Sequence, residues 1–284
     1  MTALSLDEIR FILPRRSNTS HKYGNGFVFS YAGSNRYPGS AALAAQGSMR
    51  VGAGGVYAHS EDKALSIILQ HLPEGIPIPS DATPHEVAEL LKTSRSILVG
   101  PGLHSHNFSF EKLAHLLSLS KLPTVMDAQA IHAIATAGVE RFIDEIPPAI
   151  RTRALLTPHL GEAKRLLGAT VTNDNLLKFV QETGVTLYVK GFPGRLVTLD
   201  KGVLEIDGGS TAATTAGCGD VLAGMFAGYL AQGLSVSDAA KAGVFVSNLA
   251  STLYTEYYGA HTMLASDVLG MIPRVLKEIY GSES

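Results

Sequence analysis

Residues Thr214-Thr215-Ala216-Gly217-Cys218-Gly219-Asp220-Val221-Leu222-Ala223-Gly224 set small residues and a Gly-x-Gly-Asp directly before an apolar, helix-forming run. A glycine-rich turn that opens a helix lets several backbone N–H groups converge, and the helix dipole adds partial positive charge at the same point. Such a point suits a phosphate. Asp220 falls in the first helical turn, beside that anion. A carboxylate there is electrostatically awkward unless it has a task. The task that fits is taking a proton from a hydroxyl that attacks a phosphoryl group. The plainer alternative is a helix start with an acidic first-turn residue, which favours the helix without any chemistry. Cys218 also has two readings, a nucleophile or a small filler. The filler is favoured, because no His or Asn partner can be assigned to it.

The elements needed to hold this loop are visible along the chain. Short apolar runs at 27–32, 55–58, 96–99, 123–126, 154–156 and 186–189 read as buried strands. Residues 195–199 and 203–206 read as a hairpin across Asp200-Lys201-Gly202. Helices are expected over 39–51, 110–118, 220–232, 235–257 and 266–279. This alternation predicts an α/β fold of three layers, with a mostly parallel central sheet and helices on both faces. Five of the strands end in polar or glycine-bearing signatures: Gly33-Ser34, Gly100-Pro101-Gly102, Asp127, Thr157-Pro158-His159 and Lys190-Gly191. In open parallel sheets ligands bind outside the carboxyl ends of the strands, so these endings should share one crevice with the Gly217–Asp220 loop.

Composition bounds the partners. The chain has 284 residues, of which 45% are hydrophobic and 17% charged, with a net charge of −2. That predicts a soluble globular protein, read as one domain over residues 1–284. No cluster of Lys and Arg marks a nucleic-acid surface. The single cysteine excludes an internal disulfide framework and fits a reducing, cytoplasmic compartment. No apolar signal region opens the chain, and no run of about 18 apolar residues predicts a membrane span.

An ordered set of motifs carries a resemblance. It comprises Ser20-His21-Lys22, Ala32-Gly33-Ser34, Tyr37-Pro38-Gly39, Arg50-Val51-Gly52-Ala53-Gly54 and Gly100-Pro101-Gly102. Asp127-Ala128, Leu156-Thr157-Pro158-His159-Leu160-Gly161-Glu162, Val189-Lys190-Gly191, the Gly217–Asp220 loop and Gly259-Ala260-His261-Thr262 with Ala265-Ser266-Asp267 complete it. From about Ser20 to Val275 the chain resembles the ADP/ATP-dependent NAD(P)H-hydrate dehydratases, repair enzymes with a ribokinase-like fold.

The resemblance implies a reaction and a set of roles. The substrate would be the S-epimer of NADH or NADPH carrying water across C5–C6 of the nicotinamide ring. Phosphorylation of the C6 hydroxyl, then loss of phosphate, would restore the ring. Asp220 would accept the hydroxyl proton, and the N–H groups of Gly217, Cys218 and Gly219 would form an anion hole. Ser40, Gly102, His159 and Asp220 match dinucleotide contacts. Lys190, Gly191, Phe192, Pro193 and Gly194 match the nucleotide-binding loop, with Gly219 as a further contact. Mg²⁺ would bind through phosphate oxygens, with no protein ligand assigned. Glu162 reads either as acting on the water shell of that ion or as a first-turn helix residue, and the second is preferred. The resemblance also implies ADP as the first choice of co-substrate, a homotetramer, and a separate epimerase, for which 284 residues leave no room.

Each of these residues has a plainer reading: His159 as a helix N-terminal residue, Lys190 as a solvated lysine, Asp127 as a helix cap and His21-Lys22 as an exposed pair. The chain also departs from the family pattern. Ser40 stands where Ala is common, Gln129 and His132 stand where Asp and Asn are common, and Ala216 replaces a Gly. Tyr23 follows His21-Lys22 in place of Gly, and Gly208-Gly209-Ser210 occupies a region where the family often has Asn. These changes leave room for altered substrate preference or reduced activity. Two rival functions use the same loop: a small-alcohol kinase of the hydroxyethylthiazole type, and a nucleotide-binding homologue without turnover. The His159 segment and Ala260-His261-Thr262 favour the dehydratase.

Overall fold

The structure is a computed structural model that describes residues 4–16, 19–208 and 215–281. In chain order the elements are α1 (Leu6–Ile12), β1 (Phe27–Tyr31), α2 (Pro38–Arg50), β2 (Gly55–Ser60), α3 (Asp62–His71), β3 (Ile76–Pro79), α4 (Pro84–Thr93) and β4 (Ser96–Val99). Then come α5 (Phe110–Ser118), β5 (Thr124–Met126), α6 (Gln129–Ala137), α7 (Val139–Glu145), α8 (Pro148–Arg151), β6 (Ala154–Leu156), α9 (Leu160–Leu167), α10 (Asn173–Thr183) and β7 (Thr186–Val189). A hairpin of β8 (Gly194–Thr198) and β9 (Gly202–Ile206) leads to α11 (Cys218–Ala231), α12 (Val236–Tyr258) and α13 (Ala265–Tyr280).

The strands form one sheet in the order β3-β2-β1-β4-β5-β6-β7-β8-β9. Strands β1 to β7 pair in parallel, and β8 and β9 continue the sheet antiparallel. The expected mostly parallel sheet with helices on both faces is therefore the observed one. Alternation along each strand divides the core. Val28, Leu98, Val125 and Leu155 point into one apolar layer, and Phe29, Val99, Met126 and Leu156 into the other.

Strand order reverses between β1 and β4, which opens a crevice at their carboxyl ends. Two expected signatures meet there. Gly33 N donates to Pro101 O at 2.7 Å, and Ser34 Oγ donates to Gly102 O at 2.8 Å.

Helices α2 and α11 lie backbone to backbone. The small residues at 41–47 allow this close approach. A Cβ on Gly224 would fall 2.0 Å from Ala44 O, and one on Gly47 2.4 Å from Val221 O. Ser48 Oγ bridges to Gly224 O at 2.9 Å. This contact fixes the start of α11, and hence Asp220, relative to Ser40 at the start of α2.

Candidate active site

Helix α11 begins at Cys218, with Gly217 as its N-cap at φ +92°. That conformation suits glycine, since an L side chain there is strained. Cys218, Gly219 and Asp220 thus occupy the first turn, where a helix leaves its N–H groups without internal partners; Cys218 N donates instead to Thr215 O of the turn at 3.2 Å. Thr215 Oγ1 donates to Met263 O at 3.0 Å and ties the loop to the segment before α13. Thr214 lies outside the described residues.

Three charged groups converge at this helix start. Lys190, just past β7, places its ammonium 2.7 Å from Asp127 Oδ1, just past β5. A Cβ on Gly219 would lie 3.4 Å from that same ammonium. Asp127 is 2% exposed and Lys190 22%. Burial works against the lysine charge, but the carboxylates of Asp127, Glu162 and Asp220 outweigh it and hold its pKa above the ordinary value. Burial pushes Asp220 up to about 6, with the charge of Asp127 adding to the effect. A hydrogen bond from Ser40 and the Lys190 ammonium pull the other way. A carboxyl group held in that range can exchange a proton near neutral pH.

The cysteine is a filler. It is buried, and burial together with the nearby Asp220 charge pushes its thiol pKa up. A nucleophile needs the opposite.

His159 is the N-cap of α9. Its Nδ1 accepts from Gly161 N at 3.0 Å and Glu162 N at 3.3 Å, while Glu162 Oε2 accepts from His159 N at 2.9 Å. This capping box fixes both side chains. Glu162 lies in the first turn of α9, where the helix-start reading put it. The His159 side chain stays 56% exposed at the crevice. Its strand end is tied to the lysine loop, because Lys190 N donates to Pro158 O at 2.8 Å.

Gly102 has φ +63°, and a Cβ there would meet Ser40 Cβ at 2.5 Å. Its close neighbour within the chain is Ser40, the other small residue matched to a dinucleotide contact. Beyond Lys190 the loop of Gly191, Phe192 and Pro193 runs to Gly194, the first residue of β8, with Phe192 75% exposed. Gln129 and His132 sit at the start of α6 and Ala216 in the turn before Gly217, none of them in the charged cluster.

The cap reading of Asp127 does not hold. The N-cap of α6 is Ala128, with no side-chain cap bond, at φ 45° and ψ −110°. A non-glycine residue held there stores on the order of 1–3 kcal/mol of strain. The carboxylate of Asp127, the residue before it, pairs with Lys190. His21 and Lys22 precede β1 and so lie at the opposite edge of the sheet. There His21 Nδ1 accepts from Gly24 N at 3.0 Å, and Lys22 O fills the space a Gly54 side chain would need. Gly209 and Ser210 lie outside the described residues. Among the described residues no group of three His, Cys, Asp or Glu is placed to hold a metal. The carboxylates nearest the anion loop are Asp127, Glu162 and Asp220.

A family model described as NAD(P)H-hydrate dehydratase matches residues 30–274. The chain belongs to the NAD(P)H-hydrate dehydratase family. Its relatives include the bifunctional NAD(P)H-hydrate repair enzyme Nnr of Salinibacter ruber, 31% identical over 289 residues, covering 96% of this chain and 52% of that protein. The chain spans about half the length of such bifunctional relatives. The ADP-dependent (S)-NAD(P)H-hydrate dehydratase of Bacillus subtilis is 27% identical over 277 residues and matches end to end, with 95% of this chain and 96% of that one covered. A crystal structure of the ADP/ATP-dependent NAD(P)H-hydrate dehydratase from Bacillus subtilis, grown with ATP/Mg²⁺, superposes with a TM-score of 0.82 at 26% identity over 97% of both chains.

Membership in the dehydratase family gives the charged cluster its context. The sequence singled out Asp220 and Lys190 but not their junction. Asp127 was the signal that could have found it, as an acidic residue at the end of a neighbouring parallel strand.

Proposed function

We propose that this protein dehydrates the S-epimer of NAD(P)H hydrate to NAD(P)H, with conversion of ADP to AMP, or ATP to ADP, and release of phosphate. The observation that supports this most is the placement of Asp220 in the first turn of α11, beside the Lys190 ammonium and beneath the Gly217–Gly219 turn. In this reading Asp220 takes the proton of the C6 hydroxyl as that oxygen attacks the terminal phosphorus of the nucleotide. The O–P bond to the shorter nucleotide breaks, and the N–H groups of Gly217, Cys218 and Gly219 hold the charge of the moving phosphoryl group. The C6–O bond then breaks with phosphate as leaving group, and loss of the C5 proton restores the dihydronicotinamide. Phosphate leaves far more readily than hydroxide, so a dehydration would consume a nucleotide.

Ser40, Gly102 and His159 line the dinucleotide side of the crevice in this account. Lys190 and the loop of Gly191, Phe192, Pro193 and Gly194 take the nucleotide, with Gly219 between them. Mg²⁺ held through the nucleotide's phosphate oxygens would offset charge that Lys190 alone cannot. ADP is preferred as co-substrate, after the Bacillus subtilis relative. Epimer interconversion calls for an epimerase activity in the same pathway. We further read the protein as one domain, a homotetramer and cytoplasmic. No helix among the described residues is long and apolar enough to cross a membrane.

Incubation with NADPH hydrate, Mg²⁺ and either ADP or ATP tests the reading. Recovery of reduced-nicotinamide absorbance with stoichiometric phosphate is expected. Folded protein that binds nucleotide but restores no absorbance would refute it, and a stable phosphorylated alcohol as product would assign a kinase instead.

A further inference from the structure

At the edge of the sheet opposite Asp220, helices α2, α11 and α13 all end around one cavity of about 590 Å³. Arg15, Arg16 and Arg50 line it, together with Met49, Pro273 and Leu276. A second cavity of about 330 Å³ adjoins it and shares Arg15, Arg16 and Gln232. Among the described residues no Asp or Glu lines either one. The sequence shows no basic cluster, because Arg50 is remote from the other two along the chain; folding assembles it.

The three arginines are exposed, and ion pairing within the described residues does not account for them. Elsewhere Arg10, Arg141 and Arg274 each pair with a carboxylate. Among the described residues none of the three cavity arginines does, and the guanidinium groups of Arg15 and Arg50 make no hydrogen bond. Gln232 and Arg16 take the carbonyls at the helix ends. Gln232 Nε2 donates to Val51 O and Gly228 O, each at 2.9 Å, and Arg16 Nη2 donates to Gly52 O at 2.9 Å. Three helix C-termini supply about half a negative charge each, which offsets only about half of three guanidinium charges. Arg15 and Arg16 also face the Tyr280 phenol, whose hydroxyl donates to Pro14 O at 2.9 Å. Their charges favour its ionised form, although burial dominates and raises its pKa.

We propose that this cavity is a second ligand site, which binds an organic phosphomonoester through Arg15, Arg16 and Arg50 and packs its apolar body against Met49, Pro273 and Leu276. Guanidinium forks match phosphate oxygens two at a time, and a volume near 590 Å³ lies in the range of small-molecule sites. The site is separate from the catalytic edge, since the 14 residues of α11 hold the two about 21 Å apart. It does not depend on the proposed reaction.

Methionine-methyl ¹³C NMR tests it, with 4-nitrophenyl phosphate as probe and 4-nitrobenzoate and inorganic phosphate as comparisons. Met49 is assigned by Met49→Leu, and buried Met126 reports that the core is intact. A saturable shift of the Met49 methyl is expected, strongest with 4-nitrophenyl phosphate. Affinity should fall at least tenfold in Arg15→Gln/Arg16→Gln/Arg50→Gln with Met126 unmoved. No saturable Met49 shift at millimolar probe would overturn the proposal. So would equal affinity in the triple variant, or a stronger response to 4-nitrobenzoate. A triple variant that changes subunit stoichiometry while Met49 of the unaltered protein ignores the probe would assign the arginines to an interface between copies, and the proposal would fall.

Discussion

Replacing Asp220 with asparagine should make the protein more stable at neutral pH while stopping its chemistry. Burial and the Asp127 charge lift the native pKa of Asp220 from 3.8 to about 6. The native state therefore holds this proton more tightly than the unfolded chain does. Below about pH 4 both states are protonated and the group contributes little. Between about pH 4 and 6 the unfolded state gains by ionising first, and above about 6 the native state carries the full penalty. The difference corresponds to about 3 kcal/mol at about 1.4 kcal/mol per pH unit. The asparagine amide keeps the shape and removes the charge, so Asp220→Asn should gain roughly 2–3 kcal/mol at pH 7, or roughly 5–10 °C in Tm. Thermal unfolding without nucleotide, from pH 4.5 to 8, reads the effect. The gap between the two proteins should open through about pH 6 and then stay constant, while activity at pH 7 falls about a hundred- to ten-thousandfold. A variant less stable than the parent at pH 7, or a gap independent of pH, would refute the placement of a strained, charged base at this helix start.

The ion pair beneath the base gives a second expectation. Lys190→Met should destabilise by about 3 kcal/mol or more at neutral pH, because Asp127 is left buried without a partner, and urea titration should show Lys190→Met/Asp127→Asn recovering most of the loss. Gly102→Ala should cost roughly 2–4 kcal/mol from its positive φ and its clash with Ser40; adding Ser40→Gly should relieve part of it, and a double-mutant cycle in denaturant measures that coupling. Phe192→Ala should leave Tm within about 1 °C, since the ring is exposed, yet raise KM for the nucleotide severalfold in steady-state assays.

Much of the frame was legible because buried parallel strands write themselves as short apolar runs. The strand ends 33–34, 100–102, 127, 157–159 and 190–191 do share one edge of the sheet. Edge strand β3 was missed because Ile76-Pro77-Ile78-Pro79 carries two prolines that a sheet tolerates only at its margin. Several helices, α4 and α10 among them, were left unplaced because few of their residues are buried and their apolar runs are broken by polar ones. Within the site, the Gly217 turn and Asp220 are local features and could be read directly. The Lys190–Asp127 pair could not, because it joins the ends of β5 and β7 across β6 and depends on register in three strands. The Ser40–Gly102 contact likewise depends on how α2 meets the end of β4. The motifs around His21-Lys22 and Gly54, part of the resemblance, pack against each other at the far edge of the sheet.

The central claim is that the C6 hydroxyl is phosphorylated before it leaves, and oxygen labelling addresses it most directly. NADPH hydrate carrying ¹⁸O in that hydroxyl is turned over with ADP and Mg²⁺, and the inorganic phosphate is analysed by mass. The account predicts one ¹⁸O in every phosphate released. Unlabelled phosphate, with the label found in water, would mean that the hydroxyl departs without ever meeting phosphorus and would contradict the role given to Asp220.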